Sequence, residues 1–277
     1  MPSLDEVLEG YRLFLEVKKP EHFSAFQHRG AESARAEAAI FSWFRSTGRD
    51  VEIAEDPATG GPDFLVSASN SALFLAEVTN LKTEAVAANS GLKTELSEPV
   101  EAFSFSLITE VLRARASAKA KQLSKAEIPR LLVITCQHRD ADLILGPNAA
   151  EELLVGGSAI RVPLGADEPS VQTVTHLRDS VFFRFDDEGS VEPARRSISA
   201  ILLVALGSHQ AQCLGILNPE PALPFDFQLL REIPFLRVQG WPMESRSVRV
   251  EWVMGQPPSA TWHFEKVELT DEELRAK

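Results

Sequence analysis

Asp63 and Glu77 are the two residues of this 277-residue chain whose type and spacing best suit chemistry. Residues 63–66 and 73–79 read as two short strands, and the polar stretch Ser67-Ala68-Ser69-Asn70-Ser71 between them makes the pair a β-hairpin. Pairing residues whose numbers sum to 140 sets Asp63 opposite Glu77, Leu65 opposite Leu75 and Ser67 opposite Leu73, across a five-residue loop. Two carboxylates then face each other. Like charges so placed are destabilising, by something comparable to the roughly 0.2–1 kcal/mol that favourable cross-strand pairs contribute. A divalent cation reverses the sign of that interaction. Mg²⁺ (or Mn²⁺) accepts one or two carboxylates, with water and phosphate oxygens completing its octahedron. The arrangement depends on register, because a slip of one residue turns each side chain to the other face.

Glu37 adds a third carboxylate. It precedes Ile40, Phe41 and Phe44 by three, four and seven positions, which puts it on the apolar face of a helix. A buried acid is costly without a partner, so a basic group or a metal is expected beside it, unless it sits at the border of the apolar stripe.

The elements that must position these acids follow from the periodicity. Residues 4–17 carry helical spacing in Val7, Leu8, Tyr11, Phe14 and Leu15, ending before Pro20. A second helix spans 32–46 and is closed by Gly48; the hairpin follows. Residues 82–100 are small or polar with weak periodicity and read as a loop, a long helix spans 103–125, and RLLVITC (130–136) has the continuous apolar character of a buried central strand. Beyond about residue 145, eleven prolines break the chain into short pieces. Residues 181–185, 198–206 and 213–217 are strand candidates there, and VRVEWV with TWHFEKV flanks a GQPPS turn as a terminal hairpin. The chain thus divides into an N-terminal helical segment (1–29), a core (30–145) and a strand-rich C-terminal part (146–277), which is either an extension of the core or a second domain.

Composition bounds the rest. With 44% hydrophobic and 25% charged residues, the chain is of ordinary globular make-up. Its longest apolar run, 201–206, is far shorter than the ~20 residues of a membrane span. The first residues do not read as a secretory signal, so a cytoplasmic protein with no membrane partner is expected. Cys136 and Cys213 have no partner at metal-ligand or redox spacing and read as buried thiols. No HExxH pair, phosphate-binding glycine loop or nucleophile elbow occurs; Ser208-His209 and Gly156-Gly157-Ser158 lack the required context. A net charge of -12 opposes binding to nucleic acid unless basic groups gather on one face, and Arg113, Arg115, Lys119, Lys121, Lys125 and Arg130 do cluster, opposed there only by Glu127. A solvated helix face is the plainer account of that cluster. Trp241, Trp252 and Trp262 in the C-terminal part could stack on bases, although core packing is the simpler expectation.

A helix containing an acid, then GGPDFLV (60–66), FLAEVTNL (74–81) and a helix with KAKQL (119–123) leading into PRLLVITC, resembles the PD-(D/E)XK, or restriction-endonuclease-like, nuclease superfamily over about residues 30–140. The resemblance rests on order and spacing, since each motif is short. It implies an α/β fold with a restriction-endonuclease-like core, a central mixed sheet flanked by helices. Pro62-Asp63 matches the PD element, Glu77 the acid of the second strand, and Glu37 the accessory acid of the first core helix. One departure is plain: Thr79 stands where the family pattern has lysine, and its hydroxyl cannot supply the positive charge that polarises the attacking water. Some members bring that lysine from a neighbouring element. Lys119 and Gln122 are three apart and share one side of the following helix, whereas Lys121 points away at about 100° per residue. Lys119 is therefore the expected substitute and Gln122 its companion, with Lys121 and Lys82 as weaker candidates.

The implied activity is metal-assisted hydrolysis of phosphodiester bonds by a Mg²⁺-dependent endonuclease, with DNA as the expected partner. Asp63, Glu77 and Glu37 are its metal ligands, and Lys119 and Gln122 complete the catalytic set. A homodimer, in which two sites meet two strands, is one arrangement of the active species. The alternative is a catalytically degenerate member of the superfamily that serves as a nucleic-acid-binding or structural subunit.

Overall fold

The computed structural model describes residues 2–56, 60–94, 105–122, 127–156, 158–161, 172–175, 179–185, 190–207, 211–240 and 249–253. Three helices open the chain: α1 (Leu4–Lys18), α2 (Pro20–Gln27) and α3 (Ala31–Ser46). α1 begins at a capping box, in which the Glu6 N–H donates to Ser3 Oγ and the Ser3 N–H donates to the Glu6 carboxylate. α2 begins at Pro20, where a missing N–H costs nothing. Tyr11, Phe14, Phe26 and Phe41 interlock, and Tyr11 meets Phe26 edge-on at 5.2 Å.

The strands β1 (Asp50–Ile53), β2 (Phe64–Ala68) and β3 (Ser71–Leu81) follow, then helices α4 (Thr83–Ser90) and α5 (Phe105–Gln122), strand β4 (Arg130–Cys136), and helices α6 (Ala141–Ile144) and α7 (Pro147–Val155). The chain continues through β5 (Ser158–Arg161), β6 (Gln172–Thr175), β7 (Phe183–Phe185), β8 (Val191–Pro193), β9 (Ala200–Ala205), β10 (Gln212–Leu217), β11 (Phe235–Gln239) and β12 (Arg249–Val253). Eight of these strands form one mixed sheet in the order β1-β2-β3-β4-β9-β10-β11-β12; β5–β6 and β7–β8 are separate pairs. β3, β4 and β9 run parallel in its centre, while β1–β2–β3, β9–β10 and β11–β12 are antiparallel.

Alternation along the central strands divides the interior in two. Leu131 and Val133 of β4, with Ala200, Leu202 and Val204 of β9, face α1, α2 and α3. Leu132, Ile134 and Cys136, with Ile201, Leu203 and Ala205, face α4, α5, α6 and α7. Both faces are covered, which explains why β4 reads as one continuous apolar run. The protein is therefore an α/β fold with a large mixed sheet flanked by helices. β9–β12 belong to the sheet begun by β1–β4, so the sheet continues across residue 145.

Several elements depart from the sequence reading. The β2–β3 register sums to 140 for Phe64↔Ala76, Leu65↔Leu75 and Val66↔Phe74, but a bulge after Val66 sets Ser67 opposite Ala72 rather than Leu73. The five-residue loop is a two-residue turn at Ser69 and Asn70, both with positive φ (50° and 62°) as a tight hairpin of this hand requires. Residues 82–100, read as a loop, contain α4, which buries only Val86 and Ser90 and so leaves little periodic signal. Its stop is Gly91 at φ 80°, a left-handed cap. β1 is only four residues long and went unread. The partner strand expected for the VRVEWV hairpin lies outside the described residues, as do Trp241 and Trp262; VRVEWV itself supplies β12, which pairs with β11 instead.

Candidate active site

β2 stops sooner than β3. Their last ladder pair toward this end is Phe64↔Ala76, while β3 runs on to Leu81 against β4. The β2-facing edge of β3 beyond Ala76 is thus left without a strand, and Asp63 fills the first position with its side chain: the Val78 N–H donates to Asp63 Oδ2 at 2.7 Å. Phe64 and Ala76 lie in the α1–α3 core, so Asp63 and Glu77, one step along each strand, turn to the opposite face. Glu77 is in register with Leu132 and Thr79 with Ile134, both in the core beneath α5. That is the face from which Lys119 arrives. Ala116 and Ala120 are buried on α5, and the intervening Lys119 extends its ammonium to pair with Glu77 Oε1.

From the other side the α2–α3 connection supplies Arg29. Its guanidinium pairs with Glu37 and with Glu55, and its Nη1 stands 3.5 Å from Asp63 Oδ1. Glu37 also accepts a 2.9 Å hydrogen bond from the Tyr11 hydroxyl. The connection itself is pinned by Glu32 at the start of α3, whose carboxylate accepts the Thr83 N–H at 3.0 Å and the Asn80 amide at 3.2 Å. Gly60 at φ 73° bridges back to Asp56 and brings the Gly60-Gly61-Pro62 approach in under this edge.

The result is a cleft of about 410 Å³ with mixed charge on its walls. Glu37, Glu55, Asp63 and Glu77 contribute carboxylates. Arg29, Lys82, Arg115 and Lys119 contribute cations. Burial is the largest influence on the titration of Glu37 and Glu77, with Asp63 next. Together they push Glu37 up to about 8 and Glu77 up to about 7, against the opposing pull of Arg29 and Lys119. Asp63 is also raised by burial, although the Val78 N–H and Arg29 favour its charged form. Burial alone would weaken the Arg29 cation, but Glu37, Asp63 and Glu55 outweigh it and hold the charge firmly. Glu77 Oε2 is buried with no hydrogen-bond partner among the described residues.

The structure therefore brings Asp63, Glu77, Glu37 and Lys119 into one cleft, with Lys82 at its rim and Thr79 in its wall. Gln122 is the last residue of α5, and the side chains of Gln122 and Lys121 lie outside the described residues. Sequence reading missed Arg29, Glu55 and Tyr11. Tyr11 was visible only as part of a helical stripe, and a lone arginine before a helix carries no motif. The partner that Glu37 needed on its apolar face is Arg29, together with Tyr11. Among the described residues, no group of three or more His, Cys, Asp or Glu side chains is placed to hold a metal ion. Two carboxylates suffice for Mg²⁺ when water and substrate complete its shell, and the oxygens of Asp63 and Glu77 are of the hard type it takes. Both cysteine thiols are buried, which pushes Cys136 up to about 12 and raises Cys213 well above its ordinary value.

No protein-family model, curated protein or solved structure matches the chain.

Proposed function

We propose that this chain is a metal-dependent nuclease with a restriction-endonuclease-like PD-(D/E)XK core, which hydrolyses phosphodiester bonds in DNA. The observation that carries the reading is the pairing of Lys119 with Glu77 in the cleft that also holds Asp63. A cation stands beside the second acid although its own strand offers only Thr79, and it comes from the following helix as the family resemblance implies.

Asp63 and Glu77 would hold Mg²⁺ or Mn²⁺, with Glu37 behind them as accessory acid. When bound, such an ion supplies Lewis acidity and a more acidic water. The protein's own part begins with orientation: Val78 N–H fixes Asp63, and Lys119 fixes Glu77. Lys119 then places positive charge where negative charge gathers on the phosphate as the water oxygen attacks phosphorus and the P–O ester bond breaks. The attacking water gives up one proton and the departing oxygen takes one up, so that water and diester become a phosphate monoester and a hydroxyl. Lys82 and Arg115, exposed at the rim, would draw the flanking phosphates toward a molecule whose overall charge of -12 repels them.

Thr79 favours a second reading, a degenerate PD-(D/E)XK-fold protein that binds nucleic acid or serves as a structural subunit. One experiment separates the two. Supercoiled, linear and single-stranded DNA, and RNA, are incubated with wild type, Asp63→Asn and Glu77→Gln in Mg²⁺ or Mn²⁺. Cleavage of DNA by wild type, lost in both variants, is the expected outcome. Cleavage that survives both substitutions would remove these acids from the mechanism, and a wild type that neither cuts nor gives a calorimetric signal with Mn²⁺ leaves the degenerate reading.

A further inference from the structure

A single guanidinium stands among three of the four cleft carboxylates. Arg29 pairs with Glu37 and Glu55 and lies 3.5 Å from Asp63. It belongs to neither α2 nor α3 but to the connection between them, and its side chain keeps 27% exposure while Glu37 and Asp63 keep 8% each. Glu55, at 32%, is the outermost of its partners. The guanidinium thus has a way out toward the cleft mouth that retains one carboxylate throughout. Deeper in the cleft the charge balance is incomplete. Lys119 takes only Oε1 of Glu77, while the buried Oε2 has no hydrogen-bond partner among the described residues.

We propose that Arg29 is a built-in counter-ion of the metal site, displaced toward Glu55 when a divalent cation binds at Asp63 and Glu77. This rests on the metal-site reading above. Without the cation, Arg29 offsets the mutual repulsion of Glu37, Asp63 and Glu55 and keeps the cleft assembled. A divalent ion at Asp63 repels the guanidinium and takes over its role there. Arg29 consequently lowers the affinity of the site for metal, because each binding event must first dislodge it. Loading becomes an exchange of charge rather than an addition to an empty acidic site.

Calorimetric titration of the full chain with Mn²⁺ tests this in wild type, Arg29→Lys and Arg29→Gln. Arg29→Gln is expected to bind Mn²⁺ about tenfold more tightly, within the usual range of coupling between two sites, with Arg29→Lys between it and wild type. Metal-free Arg29→Gln should melt below wild type, and Mn²⁺ should raise its melting temperature by more. Wild type that binds Mn²⁺ no more weakly than a folded Arg29→Gln overturns the counter-ion proposal and leaves the metal site standing. Absence of Mn²⁺ binding in both proteins overturns the metal site, and this proposal with it. Should Arg29→Gln fail to fold, wild type carries the test through ¹⁵N-arginine NMR in a Mg²⁺ titration, the Arg29 signal being assigned by its loss in Arg29→Lys. That signal should move in step with calorimetric binding. A signal unmoved at saturating Mg²⁺ overturns the proposal.

Discussion

Two regions of one sheet use burial in opposite ways. At the β2–β3 end, Asp63, Glu77, Thr79 and Asn80 are buried polar groups around a charged cleft. At β9 and β10 every residue but Gln212 is apolar or glycine and nearly all are buried, and Phe235 of β11 packs its ring directly over Gly215, where a Cβ would collide with it. The difference comes from strand length. β9 and β10 pair over their full described lengths, so side-chain packing is all they must satisfy. β3 outruns β2, and the bare edge left beyond Ala76 needs side chains from the residues just before β2, from α2–α3 and from α5 to complete it. Such an edge can hold charge at a cost in stability, while the far half of the sheet buries apolar strands against one another.

The sharpest way to break this comparison is Lys119→Met, which removes the cation beside Glu77 and leaves α5 otherwise intact. DNA cleavage should fall by about 10²–10³-fold in kcat, with a loss of stability by urea denaturation that grows with pH, because Glu77 loses its Lys119 partner and must either stay protonated or carry a buried charge. In the other half, Gly215→Ala should cost about 1–3 kcal/mol, since the buried Phe235 ring must shift among Phe225 and Phe227. Its Mn²⁺ affinity should match wild type, and a loss there would show that the two halves are coupled.

The smallest effect is on pH dependence. The folded pKa of Glu37 is raised from 4.5 to about 8, so across that window the folded state holds more proton than the unfolded state. The contribution of Glu37 is therefore full below about 4.5 and is lost as pH rises through about 8. Glu37→Gln should gain on wild type in melting temperature over this window, by roughly 2–4 °C per kcal/mol in a chain of this size. A constant difference would place the charge of Glu37 in balance with Arg29 at every pH. Metal affinity should run the other way and rise with pH through about 7 as Glu77 gives up its proton.

Much of the frame was legible because local periodicity encodes it. α1, α3, β4 and the β2–β3 register all follow from which residues share a face, and Glu37 announced its need for a partner by lying on an apolar stripe. The bulge after Val66 and the tight Ser69-Asn70 turn were not legible, because the polar residues that form them also suit a longer loop. β1 and α4 were too short to develop a period.

For the candidate site, the sequence by itself placed Glu77 on β3 and Asp63 beside the start of β2, although Asp63 lies just before that strand and is not a ladder partner of Glu77. Only the tertiary structure decided that Lys119 meets Glu77, 42 residues away, and that Arg29 gathers Glu37, Glu55 and Asp63. It also decided that β9–β12 extend the same sheet, while β5–β6 and β7–β8 stand apart from it. The physical reason is shared. A face repeats every two or three to four residues and leaves its mark on the sequence, whereas a charge in a cleft is partnered by whatever the fold delivers, and no spacing along the chain records it.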